Sequence, residues 1–162
     1  MKVITFSIGA QPCAMAVDQL VEIVPAGAVL PLPSAEATGR DAAIVGITDY
    51  RGKAIPVIRL DFQRLDGDHP AVSSTVEPSR RRFLVLGGDS PAALEVSRVD
   101  AVVELDGSLI QPPGDVGLQG HPVIGGVCRL NERYAFVING LKLNGDHCLG
   151  RPAGVASGAS NG

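Results

Sequence analysis

The sequence lacks several features that define common classes of protein. Aromatic residues make up only 4% of the chain, whereas it contains 20 glycines and 12 prolines. This composition indicates many turns and therefore many short strands. The formal net charge is −3 and is spread along the chain, which argues against a nucleic-acid-binding face. No apolar run approaches the roughly 20 residues that span a bilayer, so we expect no membrane insertion.

Cysteine is also scarce. The chain has three, Cys13, Cys128 and Cys148, which are odd in number and scattered. This pattern fits reduced thiols in a cytoplasmic protein. The N-terminus, residues 1–8, alternates between apolar and polar residues like a strand and lacks the apolar block of a signal peptide. We therefore expect a cytoplasmic protein.

No convincing catalytic or metal-binding motif is present. The chain has no Gly-x-Ser-x-Gly elbow, and the segment 87–90 lacks the lysine of a phosphate-binding loop. His147 and Cys148 are possible metal ligands, but a structural zinc site needs four ligands at defined spacing. We predict that the protein is not an enzyme and has no metal or cofactor. A small β-barrel enzyme or metal protein is the alternative, and substitution of His147 or Cys148 would test it.

The most informative stretch is Ile44–Leu60, which reads IVGITDYRGKAIPVIRL. Two runs rich in Val and Ile flank a polar elbow that contains Arg51 and Gly52. Such a pattern predicts a β-hairpin, because glycine accepts the positive φ that a tight turn often needs. An arginine on this turn is either a solvated surface residue or a recognition residue held by two strands.

The rest of the chain predicts an all-β protein. Ala92–Leu105 favours two strands broken near Ser97–Asp100 over a single helix, because it is rich in valine. A pattern of paired strands and a Pro-rich connector occurs once before residue 65 and once after residue 82. We therefore predict two similar five-stranded β-barrel lobes, SH3-like or OB-like, packed around a shared hydrophobic core.

These lobes form one predicted domain, residues 1–149. The first lobe covers about 1–65 and the second about 82–145, with a polar crossover at 66–81. Residues 150–162 are predicted to be a disordered tail, since almost nothing in them could be buried.

Aliphatic strand faces without catalytic groups suit contacts with other proteins. A groove between two lobes could accept an amphipathic helix, and a charged pair at its rim would fix the register. The candidate pair is Glu22 and Arg51. If both are independently solvated, the pair adds little stability.

Four segments of the chain share the pattern of a known family: the opening strands of residues 3–23, the Val45–Leu65 stretch with its Arg-Gly elbow and Pro-containing strand, residues 110–113, and the closing residues 134–143. In these segments the sequence resembles the CheW-like coupling domains of bacterial chemotaxis. The resemblance covers roughly residues 3–143. It implies two five-stranded β-barrel lobes and a non-catalytic adaptor. Such an adaptor couples the helical tips of chemoreceptors to the regulatory domain of a CheA-type histidine kinase, and would be recruited to membrane receptor arrays.

The resemblance also assigns residues to two binding sites. The positions that match the receptor-binding groove are Leu20, Glu22, Arg51, Gly52 and Val96. Gly46 and Ile47 match the kinase-binding side. An interaction scaffold in a signalling complex unrelated to chemotaxis is the alternative function.

Three departures from the family pattern affect these assignments. Glu95 introduces a charge where an apolar residue is usual, and Ser97 stands in place of an acidic residue. Asp49-Tyr50 replaces the usual Asn-Leu before Arg51. These differences are compatible with a diverged coupler in a pilus-motility or other non-flagellar pathway.

Overall fold

The fold consists of short β-strands joined by turns and 3-10 helices. The computed structural model describes residues 1–32, 42–60, 62, 78–118 and 120–143. Within these ranges there are eleven strands: β1 Lys2–Ile8, β2 Gln11–Ala16, β3 Leu20–Pro25, β4 Leu30–Pro31, β5 Ala42–Tyr50, β6 Lys53–Leu60, β7 Arg82–Leu86, β8 Ala92–Val96, β9 Arg98–Glu104, β10 Ile124–Leu130 and β11 Arg133–Ile138.

The strands form two sheets. The first sheet has five strands in the order β10-β11-β2-β1-β9, and the second has six in the order β3-β7-β8-β6-β5-β4. The predicted all-β class is confirmed. So are the central hairpin, β5–β6, and the two strands β8 and β9 in place of one helix. None of the helices described is long and apolar enough to cross a membrane. The predicted tail at 150–162 lies outside the described residues.

The two halves of the chain exchange a hairpin. The β1–β2 hairpin lies in the first sheet beside β9 and β11, which come from the second half of the chain. The β7–β8 hairpin lies in the second sheet beside β3 and β6, which come from the first half. The predicted lobes at 1–65 and 82–145 therefore do not correspond to the two sheets. Strand patterning is local and carries no information on which distant strand a hairpin will pair with.

The two sheets repeat the same pairing scheme. In each, an antiparallel hairpin (β5–β6 or β10–β11) has a register shift, which falls between Ile44 and Gly46 in one and between Ile124 and Gly126 in the other. In each, the second strand of this hairpin then pairs in parallel with the exchanged hairpin. The corresponding pairs are Val57 with Ala93 and Val137 with Ala14. Strands β3, β5, β6, β7 and β8 of the second sheet therefore correspond to β9, β10, β11, β1 and β2 of the first, and β4 has no counterpart among the described strands.

The described residues form three hydrophobic cores, which account for the long apolar runs. The central core takes buried side chains from both sheets, as predicted for a shared core, and includes Phe6, Met15, Ile58, Leu84, Leu94 and Ile138. A first-sheet core and a second-sheet core lie on the other faces of the two sheets. Strand β7 shows the consequence: Leu84 and Leu86 enter the central core, whereas Phe83 and Val85 enter the second-sheet core. A strand buried on both faces reads as a continuous apolar run.

Candidate functional site

The predicted elbow is a two-residue turn at the tip of the β5–β6 hairpin. Tyr50 pairs with Lys53, so Arg51 and Gly52 alone form the loop. Both have positive φ, 50° for Arg51 and 83° for Gly52, as in the type I′ turn that matches the twist of a hairpin. Glycine adopts this conformation freely, whereas a residue with a side chain loses roughly 1–2 kcal/mol there. Arg51 therefore adopts this conformation at some cost to folding stability.

Glu22 on β3 reaches this turn. The Tyr50 hydroxyl donates a hydrogen bond to Glu22 Oε2 at 2.5 Å, and Arg51 Nη2 donates to the same oxygen at 2.8 Å. We call Glu22, Tyr50 and Arg51 the charged triad. Strand β3 lies at one edge of the second sheet, and β5 lies near the opposite edge. The triad therefore joins parts of the sheet that the strand order separates.

The triad is largely a surface feature. The Arg51 side chain is 73% exposed and that of Glu22 is 36% exposed. The hydrogen bond from Tyr50 is the main cause that lowers the pKa of the Glu22 carboxyl, and the positive charge of Arg51 adds to it. The same hydrogen bond raises the pKa of Tyr50. Because an exposed ion pair contributes little to folding, stability does not explain why these groups converge.

The first sheet provides an internal comparison. By the shared register, the counterparts of Glu22, Tyr50 and Arg51 are Ala101, Leu130 and Asn131. Asn131 also has positive φ, 54°, so the turn conformation recurs. The charges do not recur, since none of these three counterparts is ionisable. The fold thus requires the turn but not the triad.

The other predicted receptor-groove residues lie deeper. Leu20 is half-buried and packs against the central core, and Val96 is only 1% exposed within that core. A register shift in the β3–β7 pairing separates Leu20 from Glu22. Gly52 lies beside Arg51 in the turn. The structure thus brings Glu22, Arg51 and Gly52 together at the surface, whereas Leu20 and Val96 belong to the central core.

The predicted kinase-side residues lie at the other edge of the second sheet, under β4. Leu30 pairs with Ile47, and Pro31 pairs with Gly46. Gly46 is buried beneath β4, and a Cβ at this position would lie 2.3 Å from the Leu30 carbonyl oxygen. Ile47 is half-buried, whereas the Leu30 side chain is 65% exposed. We call the β4 strand with Gly46 and Ile47 the β4 edge.

Two residues of these sites were not identified from the sequence. Tyr50 directly precedes Arg51, but its role depends on a contact with a strand 28 residues away. Leu30 lies in a Pro-rich stretch that reads as a linker. The signal that could have identified Tyr50 is its position where an aliphatic residue is usual.

The structure shows how the unusual residues Glu95 and Ser97 are accommodated. The Glu95 side chain is nearly buried. It accepts hydrogen bonds from Arg59 Nε and Nη2 and forms an ion pair with Arg81 at 3.4 Å. The Ser97 Oγ accepts a hydrogen bond from the Gly9 amide at 2.9 Å. Both polar groups therefore have partners. This matters for stability, because a buried polar group without a partner is destabilising.

The described part of the chain contains no group of three or more His, Cys, Asp or Glu side chains placed to hold a metal ion. His147 and Cys148 lie outside the described residues. Cys13 is buried, and burial raises the pKa of its thiol. A thiol in this state is a poor nucleophile.

Together these features define a two-sheet β scaffold whose distinctive surfaces are a charged turn and an exposed edge strand. The family profile described as CheW-like domain matches residues 2–146, and the chain belongs to this family of scaffold domains. A solved structure, the crystal structure of the scaffolding protein TtCheW from Thermoanaerobacter tengcongensis, is similar to it. The TM-score is 0.69 at 22% sequence identity, over 85% of this chain and 83% of that chain. Among curated proteins, none matches.

Proposed function

We propose that this protein is a non-catalytic adaptor that couples chemoreceptors to a CheA-type histidine kinase, in the cytoplasm at membrane receptor arrays. The observation that carries the proposal is the charged triad. It occupies a strained turn, it is exposed, and its counterpart in the first sheet is neutral. Membership of the CheW-like family supports the same function.

In this proposal the triad contacts the receptor. The helical tip of a receptor would dock beside the β5–β6 turn, and the Arg51 guanidinium would supply an exposed, directional donor for a carboxylate or carbonyl group of the helix. Leu20 and Val96 would hold β3 and β8 in position through the central core. The role of these two residues is therefore packing rather than contact.

The β4 edge would bind the regulatory domain of the kinase. It is the outer strand of the second sheet and presents an exposed leucine. An edge strand offers unpaired backbone groups, and an apolar side chain beside them can fill a pocket of the partner. Because the triad and the β4 edge have no residue in common, one molecule could hold both partners at once.

Arg51→Glu should weaken binding to a soluble fragment of a receptor cytoplasmic tip by at least tenfold. The reversed charge lies opposite Glu22 and removes the guanidinium donor. Surface plasmon resonance with the immobilised fragment would measure the change. Asn131→Glu is the matched control, since it places the same side chain in the same backbone conformation on the first sheet. Normal binding by the Arg51→Glu variant would show that the triad is not the receptor site.

Leu30→Asp should weaken binding to the kinase regulatory domain by at least tenfold, because a charge would replace the apolar group at the centre of the β4 edge. Calorimetric titration would measure the affinity. Leu141→Asp, at an exposed leucine of similar accessibility (63%), is the control. If the unsubstituted protein binds no CheA-type kinase, the adaptor proposal fails and a CheW-like scaffold in another signalling complex takes its place.

A further inference from the structure

We infer that Tyr50 is a positioning residue of the receptor site, which holds the Glu22 carboxylate and the Arg51 guanidinium in one arrangement before the partner binds. This inference rests on the proposed receptor role of the triad. It goes further, because it assigns the organisation of the site to a residue outside the Glu22–Arg51 pair.

Tyr50 is anchored on one side and polar on the other. Its side chain is half-buried and packs against the second-sheet core, as the aliphatic side chains of Val24 and Val29 also do. Its hydroxyl extends from this anchored ring to Glu22 Oε2. The position of the carboxylate is therefore tied to the core through a side chain with few rotatable bonds.

The ring also restrains the arginine. The guanidinium carbon of Arg51 lies 5.4 Å from the centre of the Tyr50 ring, within the range of a cation–π contact. An exposed Arg–Glu pair alone gains little, because two long side chains must be held in one geometry. Here Tyr50 contacts both members of the pair. Binding to a partner then requires less ordering of Arg51, which favours affinity.

The counterpart of Tyr50 in the first sheet is Leu130, which is followed by Asn131 in the same left-handed backbone conformation as Arg51. A leucine at this position is therefore compatible with the hairpin. The turn itself therefore does not require the Tyr50 hydroxyl. The hydroxyl donates its hydrogen bond to Glu22.

The test is Tyr50→Phe, which removes the hydroxyl and keeps the ring. Tyr134→Phe is the control, since Tyr134 is the other tyrosine of the chain and is exposed. We expect Tyr50→Phe to weaken binding to the receptor-tip fragment about three- to tenfold, as expected for the loss of side-chain order at an interface. The control should bind like the unsubstituted protein, and the thermal unfolding midpoint of both variants should be close to the original.

A second readout separates positioning from a loss of structure. NMR titration of the Glu22 carboxyl in the free protein should show its pKa move up towards the ordinary value in Tyr50→Phe and remain low in Tyr134→Phe. Glu22→Gln should weaken binding as well, and adding Tyr50→Phe to it should cause less loss than Tyr50→Phe causes alone, because the two groups act through one hydrogen bond.

The outcomes separate the inference from the proposal on which it rests. If Arg51→Glu abolishes binding but Tyr50→Phe binds normally, the triad is the receptor site and the positioning role of Tyr50 is refuted. An unchanged Glu22 pKa in Tyr50→Phe would refute it too. If the unsubstituted protein does not bind the receptor fragment, the receptor role fails first, and the inference falls with it.

Discussion

Gly46→Ala is expected to loosen β4 from β5 and to reduce both folding stability and kinase binding. The added Cβ would lie 2.3 Å from the Leu30 carbonyl oxygen and 2.6 Å from Val29 Cγ1. The first of these atoms belongs to the backbone, so a change of rotamer cannot relieve the clash. Insertion of a methyl group into a well-packed site costs about 1–3 kcal/mol. Chemical denaturation would measure the loss of stability, and calorimetry the loss of affinity.

Neighbouring glycines of the first sheet provide the controls. Gly126 is the counterpart of Gly46, and its Cβ would lie 2.7 Å from the Gln111 carbonyl oxygen, so Gly126→Ala should be destabilising as well. The Cβ of Gly125 would meet nothing closer than 3.6 Å, and Gly125→Ala should be close to neutral. Unchanged stability of Gly46→Ala would contradict the close approach of β4.

The burial of Gly46 bears on its role in the proposed kinase site. Gly46 is buried, so a substitution there would act on a partner by displacing Leu30 rather than through a direct contact. Comparison with Leu30→Asp separates the two effects. Leu30→Asp should lower affinity without the loss of stability, whereas Gly46→Ala should lower both. The kinase assignment of Gly46 made from the sequence is therefore best tested through Leu30.

The sequence predicts the local elements well. The β5–β6 hairpin and its turn follow from two β-branched runs around an Arg-Gly pair, because both signals lie within a few residues. The formation of two strands, β8 and β9, in place of one helix follows from the local valine content in the same way. The all-β class and the shared core follow from the number of such runs. All of these features depend on near neighbours in the chain.

The features that were not predicted depend on distant neighbours. The family resemblance assigns Val96 to an apolar position of the receptor groove, but an apolar strand residue fits a buried core equally well, and Val96 lies in one. The role of Tyr50 requires β3 and the β5 turn to meet across the second sheet. The exchange of hairpins leaves no local pattern at all, because β1–β2 would read as the same hairpin in either sheet.

Cutting the chain between β6 and β7 should leave the two pieces firmly associated. A protease site introduced within residues 66–76 would divide the chain into a piece carrying β1–β6 and a piece carrying β7–β11. After cleavage, size-exclusion chromatography should show one species with the elution volume of the intact protein. Neither piece alone should fold, since each lacks the hairpin that completes its sheet.

The expectation follows from the strand order. Separation of the pieces would remove β1–β2 from between β11 and β9, and β7–β8 from between β3 and β6. It would also expose the central core, to which both pieces contribute fully buried side chains such as Ile4, Ile58, Leu84 and Ile138. Burial of each such side chain is worth about 1.5–3 kcal/mol. Two stable monomers after cleavage would instead indicate lobes that follow the order of the chain. Receptor binding should survive cleavage and be lost once the pieces are separated in denaturant. The reason is that β3 with Glu22 and the turn with Arg51 lie on one piece, whereas the β7–β8 hairpin that completes their sheet lies on the other.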